Sequence, residues 1–140
     1  MKKLKISLTI ALLCLFTFNA YSTSTPVDNS NKLVILWTSD NPELAKTMVF
    51  MYAKNALRHN WFDEVTLIIW GPSARLAAEN EDIQARIAQL KEVGVEVKVC
   101  IACARMLGVD EKLRQAGYEV KGMGAPLTYF LRQNYRILTL

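Results

Sequence analysis

Two cysteines, Cys100 and Cys103, stand in the stretch Val-Cys-Ile-Ala-Cys-Ala-Arg-Met-Leu-Gly. A thiolate is a nucleophile, a metal ligand and one half of a disulfide, and its reactivity depends on what stabilises its charge. Cys100 ends a strand-length run, and Cys103 falls in the first turn of the helical segment that follows. Unpaired amide N–H groups and the positive end of a helix stabilise a thiolate in that position. Several readings of the spacing stand side by side. Cys100 can be a nucleophile that carries a persulfide or exchanges with other thiols. The pair can also cycle between dithiol and disulfide, since i,i+3 spacing across a strand–helix junction meets the Cα separation that a disulfide needs. A metal pair would need a second subunit, because zinc takes four protein ligands, or three and a water, and the chain adds only one distant histidine, His59. The remaining reading is two small residues buried beneath a sheet.

Other groups are candidates for support. Arg105 can add positive charge near the cysteines. Ser73 and Asn41 follow strand-like runs and can line the same rim, where they would contact an incoming group. His59 lies towards the far end of a long helical segment and suits the free carbonyls of that helix end better than a general-base role. No Ser–His–Asp arrangement exists, and no paired carboxylates converge at the rim. Gly71-Pro72-Ser73 can greet an anion at a helix start, but it lacks the phosphate-loop spacings and reads more readily as a turn. Gly122-Met123-Gly124 is also read as a turn. No cofactor or metal is expected.

The elements that position these groups are legible in the apolar pattern. Leu33–Trp37 and Val65–Trp70 are continuous apolar runs of strand length. Between them Asn41 is a good N-cap and Pro42 a good first helical residue. Ala45, Met48, Tyr52, Ala56 and Leu57 then recur at helical spacing towards Asn60. Because Met48, Phe50, Met51 and Tyr52 go round that helix, some must face outward or towards a partner. A short helix is expected over Ser73–Ala78. Asn80 caps a longer one with Ile83, Ile87, Leu90 and Val93 on one face. Val95–Val99 alternates as a strand, Cys103–Leu107 and Asp110–Ala116 are brief helical turns, and Tyr118–Val120 is a short strand. Pro126–Gln133 reads as helix and Tyr135–Leu140 as the last strand. The order βαβαβαβαβ predicts a three-layer α/β/α, doubly wound domain with a mainly parallel five-stranded sheet. In such sheets ligands gather beyond the carboxyl ends of the strands, which places Thr38–Asn41, Gly71–Ser73 and Cys100–Cys103 near one rim.

Charge excludes one class of partner. The 17 basic and 13 acidic residues give +4, but Lys2, Lys3 and Lys5 crowd the start. Residues 23–140 hold 17 − 3 = 14 basic residues against 13 acidic ones, a net of +1. With no basic-aromatic cluster, nucleic-acid binding is unsupported. The start itself, MKKLK followed by ISLTIALLCLFTFNA and then Ala20-Tyr21-Ser22, has the form of a signal peptide cleaved after Ser22. The apolar run is shorter than the ~20 residues that span a bilayer. Cys14 lies inside that run behind Leu13, unlike a lipidated cysteine. The expected organisation is therefore a signal peptide at 1–22, a flexible leader at 23–31 and one domain at 32–140. The mature protein is expected in the periplasm or secreted, with no stable membrane span.

The stretch VCIACARMLG, with Gly108 eight residues after Cys100, resembles the DsrE/DsrF-like family, which includes the TusD-type sulfur-relay subunits. The resemblance extends over Lys32–Leu140 and takes in the WGPSARLA segment after the second strand. It implies an α/β domain that assembles into homo- or hetero-oligomers. It also implies that Cys100 matches the cysteine that carries a persulfide and hands its outer sulfur to the next thiol, so that the partners are a thiol or persulfide donor and acceptor. Cys103 departs from the relay pattern, in which a small apolar residue is usual, and leaves room for a resolving thiol. The signal sequence departs too, since export brings a neighbouring thiol pair into an oxidising compartment. The competing expectation is a non-enzymatic, oligomeric interaction module whose cysteines are structural or disulfide-bonded.

Overall fold

The computed structural model describes residues 28–140. The expected signal peptide and residues 23–27 of the leader lie outside the described residues. Five strands, β1 (Lys32–Trp37), β2 (Glu64–Ile69), β3 (Glu96–Cys100), β4 (Glu119–Lys121) and β5 (Arg136–Thr139), form one sheet in the order β4-β3-β2-β1-β5. Every neighbouring pair is parallel, with Leu33 opposite Val65 and Arg136, Thr66 opposite Glu96, and Cys100 opposite Lys121. The α/β architecture expected from the apolar runs is the one observed.

The first helix, α1, occupies 42–58 and changes its winding along the way: Pro42–Leu44 is α-helical, Ala45–Phe50 is π-helical and Met51–Arg58 is α-helical again. Asn41 caps it, its Oδ1 accepting from the N–H groups of Glu43 at 2.9 Å and Leu44 at 3.1 Å, with Pro42 next in line where an N–H is not needed. Two helices follow β2, α2 (Ser73–Glu79) and α3 (Glu81–Glu92), parted at Asn80, whose side chain accepts from Ile83 N–H at 3.1 Å. The short helices α4 (Ile101–Met106) and α5 (Asp110–Gln115) join β3 to β4, and α6 (Gly124–Arg132) joins β4 to β5.

The two faces of the sheet are covered unequally. From β1 to β4 the chain steps along the sheet in one direction, and right-handed crossovers put every connecting helix on the same side. That side holds the main core, in which Leu33, Ile35, Trp37, Leu67, Ile69, Val97 and Val99 meet buried residues of α1 to α5. Ile83, Ile87 and Leu90 of α3 are buried there, each contributing roughly 1.5–3 kcal/mol. Only the step from β4 back past β1 to β5 delivers a helix, α6, to the other side. Val34, Ile68, Cys100 and Met123 are buried on that side, with Leu127, Phe130, Tyr135 and Ile137 partly covered around them. Helix α6 buries no residue fully and leaves Tyr129 54% and Leu131 63% exposed.

Residues 28–31, which the sequence places in the leader, are tied to this side of the domain. Asn29 is buried and donates from Nδ2 to the Gln133 carbonyl at 3.0 Å, and its own carbonyl accepts from Lys32 N–H at 3.0 Å. Arg136 reaches the Ser30 carbonyl at 3.3 Å. A polar residue that finds hydrogen-bond partners can be buried, which hydropathy alone does not register. Among the described residues, no helix is long and apolar enough to cross a membrane.

Candidate functional site

Cys100 is the last residue of β3 and also the N-cap of α4, with φ −72° and ψ 112°. Side chains alternate along a strand, so Cys100 shares a face with Lys98 and lies opposite Lys121 across the β3–β4 ladder. This is the thinly covered face. Cys100 is 3% exposed and packs with Val34, Ile68 and Met123. Cys103, one turn into α4, is half-buried, and both cysteines are free thiols. Trp70, Leu36 and Leu127 belong to the same apolar cluster.

The two thiols share one apolar cluster with Trp70, at the end of β2. Burial pushes the Cys103 thiol above its ordinary range, the Gly71 N–H pulls against that rise by donating to the sulfur, and the adjacent Cys100 thiol adds to it. Gly71 has φ +66°, a left-handed turn that a glycine takes without strain.

Ser73 holds that turn in place. The side chain is fully buried, and its hydroxyl lies 2.7 Å from the Trp37 carbonyl and 3.0 Å from the Trp70 carbonyl, while Trp70 N–H donates to it at 3.1 Å. It therefore ties the carboxyl ends of β1 and β2 to the start of α2 and has no surface left for an incoming group. Asn41 sits one strand further along, exposed, with its carbonyl oxygen spent on the α1 cap. Arg105, in the last turn of α4, is exposed and faces Asp110 at 3.9 Å. Of the residues expected at the rim, Cys100 and Cys103 come together, whereas Ser73, Asn41 and Arg105 have structural partners. His59 terminates α1 and stacks on Trp61 with ring centroids 5.4 Å apart.

Two contributors escape the sequence reading. Gly71 reads from the sequence as part of a turn, and the β2–β3 pairing brings the end of β2 beside the cysteines, where the Gly71 N–H favours the Cys103 thiolate. Met123, in a stretch the sequence reads as a turn, is 1% exposed and packs in the buried cluster with Cys100. A buried apolar residue between two glycines is the signal that could have flagged it. Towards the amino ends of the strands the same face becomes a charged ladder. Lys98 contacts Glu96 and lies 3.5 Å from Glu119, Lys121 bonds Glu119 at 2.5 Å, and the Thr66 hydroxyl donates to Glu96 at 3.3 Å. Among the described residues, no three His, Cys, Asp or Glu side chains are grouped to hold a metal ion.

The DsrE/DsrF-like family model matches residues 31–140. The chain belongs to the DsrE/DsrF-like family. Among solved structures it is similar to BT1422, a conserved protein of unknown function from Bacteroides thetaiotaomicron, at 32% identity and a TM-score of 0.77, over 83% of this chain and 100% of that one. It shares its fold with MTH1491 of Methanobacterium thermoautotrophicum, a protein of unknown function, at 12% identity and a TM-score of 0.65, over 78% of this chain and 98% of that one. The ychN protein of E. coli is similar at 18% identity and a TM-score of 0.54, with the same coverage. No curated protein matches the chain. In this DsrE/DsrF-like protein the cysteine pair stands where the third strand of the sheet gives way to a helix.

Proposed function

We propose that this DsrE/DsrF-like protein accepts and passes on sulfane sulfur, or exchanges with another thiol, at Cys100, with Cys103 able to resolve the product. The observation that carries the reading is the placing of two free thiols, one buried and one half-buried, in one apolar cluster where β3 gives way to α4. Thiol–persulfide exchange needs an attacking thiolate, a sulfur within reach and a leaving thiolate, and the pair supplies both attacking and receiving groups. The family's sulfur-relay members support the same assignment. Export, cleavage after Ser22 and self-association belong to this proposal; the half-exposed Tyr129 and Leu131 of α6 are compatible with a partner on that face.

The burial of Cys100 favours a second reading, an interaction module whose cysteines are structural. The two separate on one experiment. The reduced protein is offered polysulfide and each cysteine peptide is weighed, beside a Cys100→Ser variant. Sulfur held on Cys100 in the folded protein supports transfer. Cysteines that stay unmodified until the protein is denatured, or an adduct that forms equally well on a variant lacking both cysteines, favour the module.

A further inference from the structure

We propose that sulfur reaches Cys100 by way of Cys103, the outer thiol acting as first acceptor and the inner one as the store; this rests on the sulfur-transfer reading above. Cys100 is 3% exposed and enclosed by Val34, Ile68 and Met123 on the sheet face. Cys103 is only half-buried, one turn further along, among the partly covered Leu36, Trp70 and Leu127. A donor sulfur is attacked along the line of its S–S bond, so the leaving group needs room behind it. The partly exposed Cys103 has a solvent side from which a leaving group can depart, and the covered Cys100 offers almost none.

The steps balance without an added oxidant or reductant. The Cys103 thiolate attacks the outer sulfur of a hydropersulfide R–S–SH, forming Cys103–S–SH and releasing R–S⁻. The Cys100 thiolate then attacks the outer sulfur of Cys103–S–SH, forming Cys100–S–SH and regenerating the Cys103 thiolate. Attack on the inner sulfur instead would join Cys100 to Cys103 as a disulfide and release HS⁻. The enclosure of Cys100 serves the stored persulfide, because bulk thiols cannot reach it except through Cys103. The Gly71 N–H favours the charged form of Cys103 and so stabilises that thiolate as it forms and re-forms.

The test follows sulfur between the two positions. The reduced full chain is mixed with inorganic polysulfide, quenched with an alkylating agent at increasing times, and the two cysteines are weighed on separate peptides after cleavage between them. Sulfur on Cys103 first, and on Cys100 later as the Cys103 signal declines, is the expected course. Cys103→Ala should load Cys100 at least about ten-fold more slowly, since reactivity follows access to the thiolate, while Cys100→Ser should load Cys103 at the wild-type initial rate. Cys103→Ser, polar and nearly isosteric, repeats the first comparison should the alanine variant fold poorly. Sulfur that appears first on Cys100, or Cys103 variants that load Cys100 at the wild-type rate, would overturn the order and leave sulfur transfer standing. A folded wild type that takes up no sulfur on either cysteine would sink both.

Discussion

Ser73→Ala is the substitution that most directly probes how the site is held. The hydroxyl is fully buried and bridges the Trp37 carbonyl, the Trp70 carbonyl and the Trp70 N–H. Its loss does not orphan the backbone completely, because Trp70 N–H also donates to the Trp37 carbonyl at 2.9 Å. The cost is therefore that of one or two hydrogen bonds, about 1–2 kcal/mol, with almost no change in packed volume. In a domain of this size that lowers Tm by roughly 4–8 °C. Urea unfolding should show the same loss with an unchanged slope. A second effect should accompany it. The freed turn presents the Gly71 N–H less well, so the Cys103 thiol rises further and its alkylation at a fixed pH near neutrality slows. A variant as stable as the wild type would refute the tie between β1, β2 and α2. A variant that keeps its stability but loses sulfur uptake would show instead that the hydroxyl meets the incoming group.

Three further outcomes are expected. Asn41→Ala removes the two acceptor bonds at the start of α1 and should cost about 1 kcal/mol in thermal unfolding while leaving cysteine alkylation rates unchanged; a changed rate would return Asn41 to the site. Lys98→Met should alter stability by less than ~1 kcal/mol in either direction, because it relieves a nearly buried ammonium and leaves Glu96 and Glu119 half in water; a loss of ~3 kcal/mol in urea unfolding would mean that the charged ladder is net stabilising. Burial pushes the Tyr118 phenol up to about 12 from its ordinary 10, so the folded state holds that proton longer than the unfolded chain. Its contribution to stability is full below pH 10 and declines between pH 10 and about 12; Tyr118→Phe should flatten that part of the denaturant-midpoint profile, and an unchanged slope would count against it.

Element order was readable because apolar runs of strand length alternate with capped helical segments, and the caps at Asn41 and Asn80 mark helix starts by chemistry alone. Strand neighbours were less so. Nothing in the run Tyr135–Leu140 says that it pairs with β1 at the opposite edge from β2, and that choice leaves one helix on the second face. The π-helical stretch Ala45–Phe50 was also hidden, since the spacing of Ala45 and Val49 fits an ordinary helix equally well. At the site, the cysteines were found because strand end and helix start are local features. Ser73, Asn41 and Arg105 were placed at the rim by position, but where a side chain spends its hydrogen bonds is settled by groups far away in the chain. Trp37 decides it for Ser73, and Asp110 takes Arg105.

The position of β5 also has a kinetic consequence. The pairs β1–β2, β2–β3 and β3–β4 each join strands consecutive in the chain, so each can close as a local unit while the next is still unformed. The pair β1–β5 brings Leu33 beside Arg136 across nearly the whole domain, and it must close the longest loop for a short four-residue strand. Loop entropy rises with length, and contacts of high sequence separation are the slow ones to gain. The transition state for folding should then contain β1 to β4 with α1 and α3 docked, and β5 should arrive afterwards, bringing α6 down over Cys100. Shortening Ile137 to Val should speed unfolding and leave the folding rate nearly unchanged, whereas Leu67→Ala should slow folding. Equal effects of both on the folding rate would rule that order out. Until β5 is in place the inner thiol lacks its cover, so the last event in folding is also the one that hides Cys100 from solvent.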